Sequence, residues 1–328
     1  MAPHESERPH AAIICNPVKV QVDDVRRVVE AAEEHHGWGP SQWFETRSED
    51  AGRGAAEAAL AGGPSVVLVA GGDGGVRVAA ETFLESGTPI ALLPSGTGNL
   101  LARNLGLPIG DIERCVEIAF GRATRQIDVG IADLEDEHGA RNRRMFLVMA
   151  GIGLDAEMAE RTSALAKRHL GWLAYVAPIA RSIVRNRLFH VRYRVDGGRT
   201  RSAHAHTIIV GNCGTLTGDM LLLPAALVDD GLLDVIMLRP RGRFEWARIG
   251  TRLTLQGLAR RSRLTRRLLR RVPELRSLAY AQGRRFDVRF ETPHGAELDG
   301  DSFGPIIGAR IAVRAAAIRI CVEAHPAP

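Results

Sequence analysis

Two short runs hold the residue types from which chemistry is most readily built. In "VVLVAGGDGGVRVAAETF", Val66 to Phe83, an apolar β-branched stretch passes through Gly71, Gly72, Asp73, Gly74 and Gly75 into an amphipathic pattern. In "LLPSGTGNLLAR" a second apolar stretch passes through Ser95, Gly96, Thr97 and Gly98 to Asn99, a residue suited to capping a helix. Glycine lets a ligand approach the main chain without meeting a Cβ. A helix starting near Gly75 or Val76 points its free N–H groups over the first turn. An anion there gains about 0.3–1 kcal/mol from the helix dipole, besides its hydrogen bonds. If the two strands are neighbours in a parallel sheet, both turns emerge at the C-terminal edge, where α/β sheets bind ligands. The pair reads as a cradle for a polyphosphate. Neither turn fits GxGxxG and no GK[ST] is present, which disfavours a dinucleotide fold and a P-loop.

The elements around these turns predict an α/β half. "AAIICNP", "QWFET", "SVVLVA" and "PIALLP" read as strands, and "DDVRRVVEAAEEHHG", "GRGAAEAALAGG", "VRVAAETFLESG", "NLLARNLG" and "DIERCVEIAFG" as helices. Near-continuous apolar strands alternating with helices mark a parallel sheet covered on both faces. After Asp128 the pattern changes to short alternating segments such as "FHVRYRV", "AHTIIVGN", "LLDVIML" and "RRFDVRF", as in an antiparallel sheet or sandwich. Helical patterns interrupt it at "GWLAYVAPIARSIVRN" and in the arginine-rich piece from Phe244 to about Arg271. The fold class is therefore an α/β nucleotide-binding domain followed by a mostly antiparallel β-sandwich. We place the domains at 1–130 and 131–308.

Composition narrows the field. The chain has 328 residues, 45% hydrophobic and 25% charged, which suits a globular protein of two domains. Its apolar runs are shorter than a bilayer span, and "MAPHESERPH" lacks the apolar core of a signal peptide. Cys15, Cys115, Cys213 and Cys321 are scattered with no CxxC pair, so neither a zinc site nor a disulfide framework is indicated. These features together point to the cytoplasm. His35-His36 and His204/His206 read as solvated or strand-alternating residues, and no GxSxG supports a hydrolase.

The chain resembles the diacylglycerol kinase catalytic-domain family, which includes bacterial lipid kinases, sphingosine kinases and ceramide kinases. The resemblance rests on "NP" at Asn16-Pro17, "GGDGG" at 71–75 and "PSGTGNLLARNLGLP" at 94–108. It continues with "GIGLDA" at 151–156, "DDGLLD" ending at Asp234, and "LDGD" at 298–301. It implies a nucleotide-binding domain to which 309–328 return, a C-terminal sandwich, and an active site in the cleft between them. It further implies ATP-dependent phosphorylation of a lipid hydroxyl, with diacylglycerol converted to phosphatidic acid. A sphingoid base or another hydrophobic alcohol is the alternative substrate, and a non-catalytic nucleotide- or lipid-binding protein the alternative class.

By position, the resemblance assigns Asn16, Thr46, the two glycine turns and Asn99 to the nucleotide. Asp230 and the backbone around Leu227 and Leu232 would hold Mg²⁺. Asp299 would be the general base, with Asp301 the other candidate. Asp128 and Asp155 also match family positions, with structural roles the expectation. Two departures stand out: Gly75 occupies a position usually held by threonine, and Val78 one often held by an acid. "DG" alone in a β-rich region is more often a hairpin turn.

Charge bears on partners. The formal net charge is +5. Between Arg239 and Arg271 there are twelve arginines against one glutamate, interleaved with Leu, Ile, Phe and Trp. A helix of this kind can lie on an anionic membrane, or pack on the sandwich with a solvated arginine face. The expectation is a cytoplasmic enzyme peripheral to the inner membrane surface, with a lipid substrate and no nucleic-acid partner. A homodimer is left open.

Overall fold

The computed structural model describes residues 8–47, 49–153, 188–215, 221–239 and 278–324. The chain divides into two compact units, Met1–Ile127 with Ala316–Pro328, and Asp128–Ala315. Asp155, the helical pattern at 171–186 and all of the basic stretch after Arg239 lie outside the described residues.

The first unit alternates strand and helix: β1 (Ala11–Cys15), α1 (Val22–His36), β2 (Gln42–Glu45), α2 (Arg53–Ala61), β3 (Val66–Gly71), α3 (Asp73–Phe83), β4 (Ile90–Pro94), α4 (Leu100–Leu105) and α5 (Ile112–Phe120). The strands lie in the order β2-β1-β3-β4, all parallel. Every residue of β1 and β3 is buried, as expected for strands covered on both faces. Helix α1 turns Val25, Val29 and Ala32 inward, an i, i+4, i+7 stripe. α5 packs alongside it, and Trp38 meets Phe120 edge-on at 4.8 Å between ring centres. The last described segment returns to this unit, where Ile320 pairs with Ile90 of β4 in parallel.

The second unit is antiparallel. Its strands are the greater part of β5 (Thr124–Glu135), β6 (Arg141–Phe146), β7 (Met149–Ile152), β8 (Phe189–Val195), β9 (Arg201–Ala205), β10 (Thr207–Gly211), β11 (Leu233–Leu238), β12 (Leu278–Gly283), β13 (Arg285–Leu298) and the greater part of β14 (Asp301–Cys321). The order β12-β11-β10-β7-β13-β14 forms the main run, with β8 and β9 extending from β13 and β6 pairing β5. Alternation sorts the side chains. Val191, Phe286, Val288 and Phe290 enter a core with Phe146, Ile152, Ile208 and Ile311, while Arg192, Arg194 and Arg289 are exposed on the opposite face. Among the described residues no helix is long and apolar enough to cross a membrane.

Candidate active site

At the C-terminal edge of the parallel sheet the ladder ends at Cys15, Glu45, Gly71 and Pro94. Asn16, Thr46, Gly72 and Ser95 are the next residues of the four strands, so one sheet edge gathers every segment assigned to the nucleotide. Asn16 turns the chain, its Oδ1 accepting the Val18 amide at 3.0 Å. Thr46 donates its amide to the Cys15 carbonyl at 2.9 Å, and its methyl group packs where a Cβ on Gly52 would sit.

The two glycine turns touch. A Cβ on Gly96 would lie 2.7 Å from the Gly72 Cα, closer than any real Cβ contact, so glycine is required at this crossing. The Ser95 amide donates to the Gly71 carbonyl at 3.0 Å and completes the junction. Helix α3 begins at Asp73, earlier than the sequence pattern suggests, and Val76 donates the first helical hydrogen bond to the Gly72 carbonyl at 3.1 Å. The amides of Asp73, Gly74 and Gly75 precede that bond and have no acceptor within the helix.

Asp73 itself faces the other turn. Its Oδ1 accepts the Leu101 amide at 3.3 Å, and its Oδ2 lies 2.9 Å from where a Cβ on Gly98 would stand. Burial raises the Asp73 pKa above the usual carboxylate value, against the amides of Leu101, Leu100 and Asn99, which favour the charged form. Asn99, expected to cap α4, sits in the left-handed region (φ 48°) and turns its side chain back instead. Its Oδ1 accepts the Gly96 amide at 2.9 Å and its Nδ2 donates to the Gly96 carbonyl at 2.8 Å. The carboxylate of the first turn therefore caps the helix of the second and also accepts from its own amide, so at the start of α3 the amides left for an anion are those of Gly74 and Gly75.

Two cations border these turns. The Lys19 ammonium lies 3.4 Å from the position of a Gly72 Cβ and makes no ion pair or hydrogen bond among the described residues. Arg103 donates from Nε to the Gly98 carbonyl at 2.9 Å. Lys19 escaped the sequence reading. Its signal was faint: one lysine three residues after Asn16, in a chain rich in arginine. Gly75 faces open space, with no atom within 4 Å of a Cβ placed there. Val78 is 4% exposed, a packing position in which a carboxylate would be desolvated.

The second unit holds the remaining acids. Asp299 and Gly300 form the two-residue turn of a hairpin closed by the pair Leu298 and Asp301, both with positive φ (48° and 87°). The Asp299 side chain does more than turn the chain. It accepts the amides of Leu147 at 2.8 Å, Val148 at 2.9 Å and Met149 at 3.0 Å. These three bonds fix the direction of the carboxylate. Asp301 is exposed at the start of β14.

A hydrogen-bonded path joins this clamp to "DDGLLD". Asn212, wholly buried, donates from Nδ2 to the carbonyls of Leu147 at 3.2 Å and Asp128 at 2.8 Å. The buried Asp128 carboxylate accepts the Gly231 amide at 2.6 Å, and its own amide donates to the Val228 carbonyl at 2.7 Å. Asp230, exposed beside Gly231, accepts the Leu232 amide at 3.0 Å. Asp128 thus fixes the loop on which Asp230, Leu227 and Leu232 sit. Asp234 faces inward, and burial raises its pKa to about 6. Its Oδ2 accepts from Gln282 at 3.3 Å, while its Oδ1 has no hydrogen-bond partner among the described residues. Asp230, Leu227 and Leu232 offer one carboxylate and main-chain carbonyls on an exposed loop, a set of hard oxygen donors that suits Mg²⁺.

Comparison with known proteins gives the family and the fold. Residues 10–132 match the diacylglycerol kinase catalytic domain, and residues 148–322 match the YegS C-terminal NAD kinase β-sandwich-like domain. A diacylglycerol kinase of Mycobacterium tuberculosis (strain CDC 1551 / Oshkosh) is 31% identical over 192 residues, 58% of this chain and 60% of that protein. The chain thus spans about three fifths of that relative's length. A diacylglycerol kinase of Bacillus subtilis (strain 168) is 26% identical over 251 residues, 75% of this chain and 79% of that one. A crystal structure of a diacylglycerol kinase from Bacillus anthracis (strain Sterne) shares the fold, with a TM-score of 0.64 at 17% identity over 97% of this chain and 98% of that one. With the glycine edge and the "LDGD" turn both in place, and family models matching each half, the chain belongs to the diacylglycerol kinase catalytic-domain family, in its bacterial group with a YegS-type C-terminal domain.

Proposed function

We propose that the protein transfers the γ-phosphate of ATP to a lipid hydroxyl, with diacylglycerol as the substrate and phosphatidic acid as the product. The observation that carries this reading is the edge formed by Gly72, Gly96 and Lys19: the Gly74 and Gly75 amides without helical acceptors, an ammonium with no ion pair among the described residues beside them, and open space over Gly75. Such an edge suits a polyphosphate, because main-chain amides and a fixed cation offset its charge without having to reorganise. Asn16, Thr46, Ser95 and Thr97 border the same edge.

In the reaction the lipid oxygen forms a bond to the γ-phosphorus, the bond from that phosphorus to the β,γ-bridging oxygen breaks, and ADP leaves. Asp299 takes the hydroxyl proton. The clamp on residues 147–149 supports this role, since it fixes the direction of the carboxylate, and general-base help of this kind is worth about 10²–10⁴ in rate. Asp301, two residues on, is the second candidate. Asp230, with carbonyls of Leu227 and Leu232, would hold Mg²⁺, which supplies positive charge near phosphate oxygens when bound.

The lipid class is tested by offering diacylglycerol, a sphingoid base and a long-chain alcohol in mixed micelles with γ-labelled ATP and Mg²⁺. Label in phosphatidic acid above the other products supports the assignment. Label chiefly in a phosphorylated sphingoid base or alcohol reassigns the substrate. ATP binding without any labelled lipid makes the protein a non-catalytic binder. The proposed setting is the cytoplasm, at the inner membrane surface, where residues 239–271 would meet anionic lipid.

A further inference from the structure

The outer face of the antiparallel sheet in the second unit bears a concavity of about 310 Å³, far from neutral in its lining. Arg141, Arg192, Arg194, Arg289 and Arg310 line it, against Asp133, Glu135 and Asp287. The acids are already engaged. Glu135 lies 3.3 Å from Arg141 and 3.4 Å from Arg289. Asp287 lies 3.0 Å from Arg285, 3.2 Å from Arg310 and 3.8 Å from Arg194. Asp133 lies 4.0 Å from Arg143, just outside the lining.

One arginine is left over. The Arg192 guanidinium makes no ion pair or hydrogen bond among the described residues, and the residue stands directly opposite Arg289 across β8 and β13. Like charges directly opposite on neighbouring strands destabilise a sheet. Glu135 offsets part of the charge on Arg289, but no carboxylate among the described residues lies within ion-pair distance of Arg192. An anion placed between the two guanidinium groups would offset the rest, because each presents a planar fork of donors matched to phosphate oxygens. The neighbouring arginines share their carboxylates and keep further N–H groups for the same ligand. The volume suits one compact anionic group rather than a polymer.

We propose that this concavity is a phosphate-monoester site, separate from the glycine edge, centred on Arg192 and Arg289. The monoester is either a small soluble ligand or the headgroup of an anionic lipid, and the two sources are separable. The proposal stands apart from the kinase reading, since it uses no residue of the glycine edge, the Asp299 clamp or the Asp230 loop.

The test is titration calorimetry at low salt in a Lys19→Glu background, so that the glycine edge does not contribute. Glycerol 3-phosphate is the soluble probe, glycerol its uncharged control, and phosphatidylcholine vesicles with and without phosphatidic acid are the lipid probe. Arg192→Glu places a carboxylate opposite Arg289, so the thermal midpoint should hold or rise while monoester binding weakens at least tenfold. Arg192→Lys, which keeps the charge and loses the fork, should fall between. Loss of glycerol 3-phosphate binding in Arg192→Glu supports a soluble ligand. Loss confined to phosphatidic acid vesicles supports a lipid headgroup. If neither probe binds the background protein, or if binding is the same in folded Arg192→Glu, the proposal is overturned.

Discussion

The Asp73 carboxylate accepts the Leu101 amide at 3.3 Å, so the acid of the first glycine turn caps the helix that follows the second. One side chain therefore holds together two loops 28 residues apart. Asp73→Ala leaves the amides at the start of α4 without their acceptor, at a cost of about 1–3 kcal/mol. Urea unfolding should show that loss, and Asp73→Asn, which keeps one acceptor oxygen, a smaller one. Equal stability for wild type and Asp73→Ala would remove the cap from the account.

Gly96 and Gly75 should respond in opposite ways. A methyl group on Gly96 meets the Gly72 Cα, so Gly96→Ala forces the turns apart and should cost about 1–3 kcal/mol. Gly75→Thr enters open space and adds a hydroxyl where the family usually has one. It should leave the unfolding midpoint nearly unchanged and tighten ATP binding several-fold, in line with about 0.5–1.5 kcal/mol for one hydrogen bond. Weaker ATP binding by Gly75→Thr would place the phosphates elsewhere.

Asp299 has a structural duty that can be separated from its proposed chemistry. Asp299→Asn turns an NH₂ toward the amides of 147–149, so the variant should lose about 1–3 kcal/mol of stability as well as turnover. Asp301→Asn, at an exposed position, should keep its stability. If Asp301→Asn lowers turnover more than Asp299→Asn does, the base assignment moves to Asp301.

Asp234 gives the second unit a pH dependence of definite sign. Burial raises its pKa in the folded protein to about 6, from 3.8, with Asp230 adding to the rise and the Gln282 hydrogen bond opposing it. The folded state therefore holds the proton more tightly than the unfolded chain. The stability this confers is full below about pH 4 and is lost as pH rises through about 6, some 3 kcal/mol in all. The difference in unfolding free energy between wild type and Asp234→Asn should fall by about that amount between pH 4 and pH 7, then stay level. Parallel curves for the two proteins would contradict the burial of that carboxyl.

What the sequence made legible was local. Gly71 to Gly75 and Ser95 to Gly98 announce turns because glycine between an apolar run and an amphipathic one leaves few other readings. The change from buried strands such as "VVLVA" to alternating ones such as "RRFDVRF" separated the parallel half from the antiparallel half. Contacts between distant segments were not legible. That Asp73 rather than Asn99 caps α4 depends on the Gly72 and Gly96 backbones touching. That Lys19 stands beside Gly72 depends on the neighbouring C-terminal ends of β1 and β3. Asp128 read only as structural and Asn212 carried no signal in the sequence; the fold sets them against Gly231 and Leu147. The Arg192 and Arg289 opposition required the register of β8 on β13, which alternation alone does not fix.

The account turns on where the triphosphate lies, and one comparison tests that directly. Equilibrium dialysis of ATP and of adenosine against wild type and Lys19→Glu should show ATP weakened at least tenfold and adenosine unchanged. ATP bound equally well by both proteins would contradict the placement of the phosphates over Gly72.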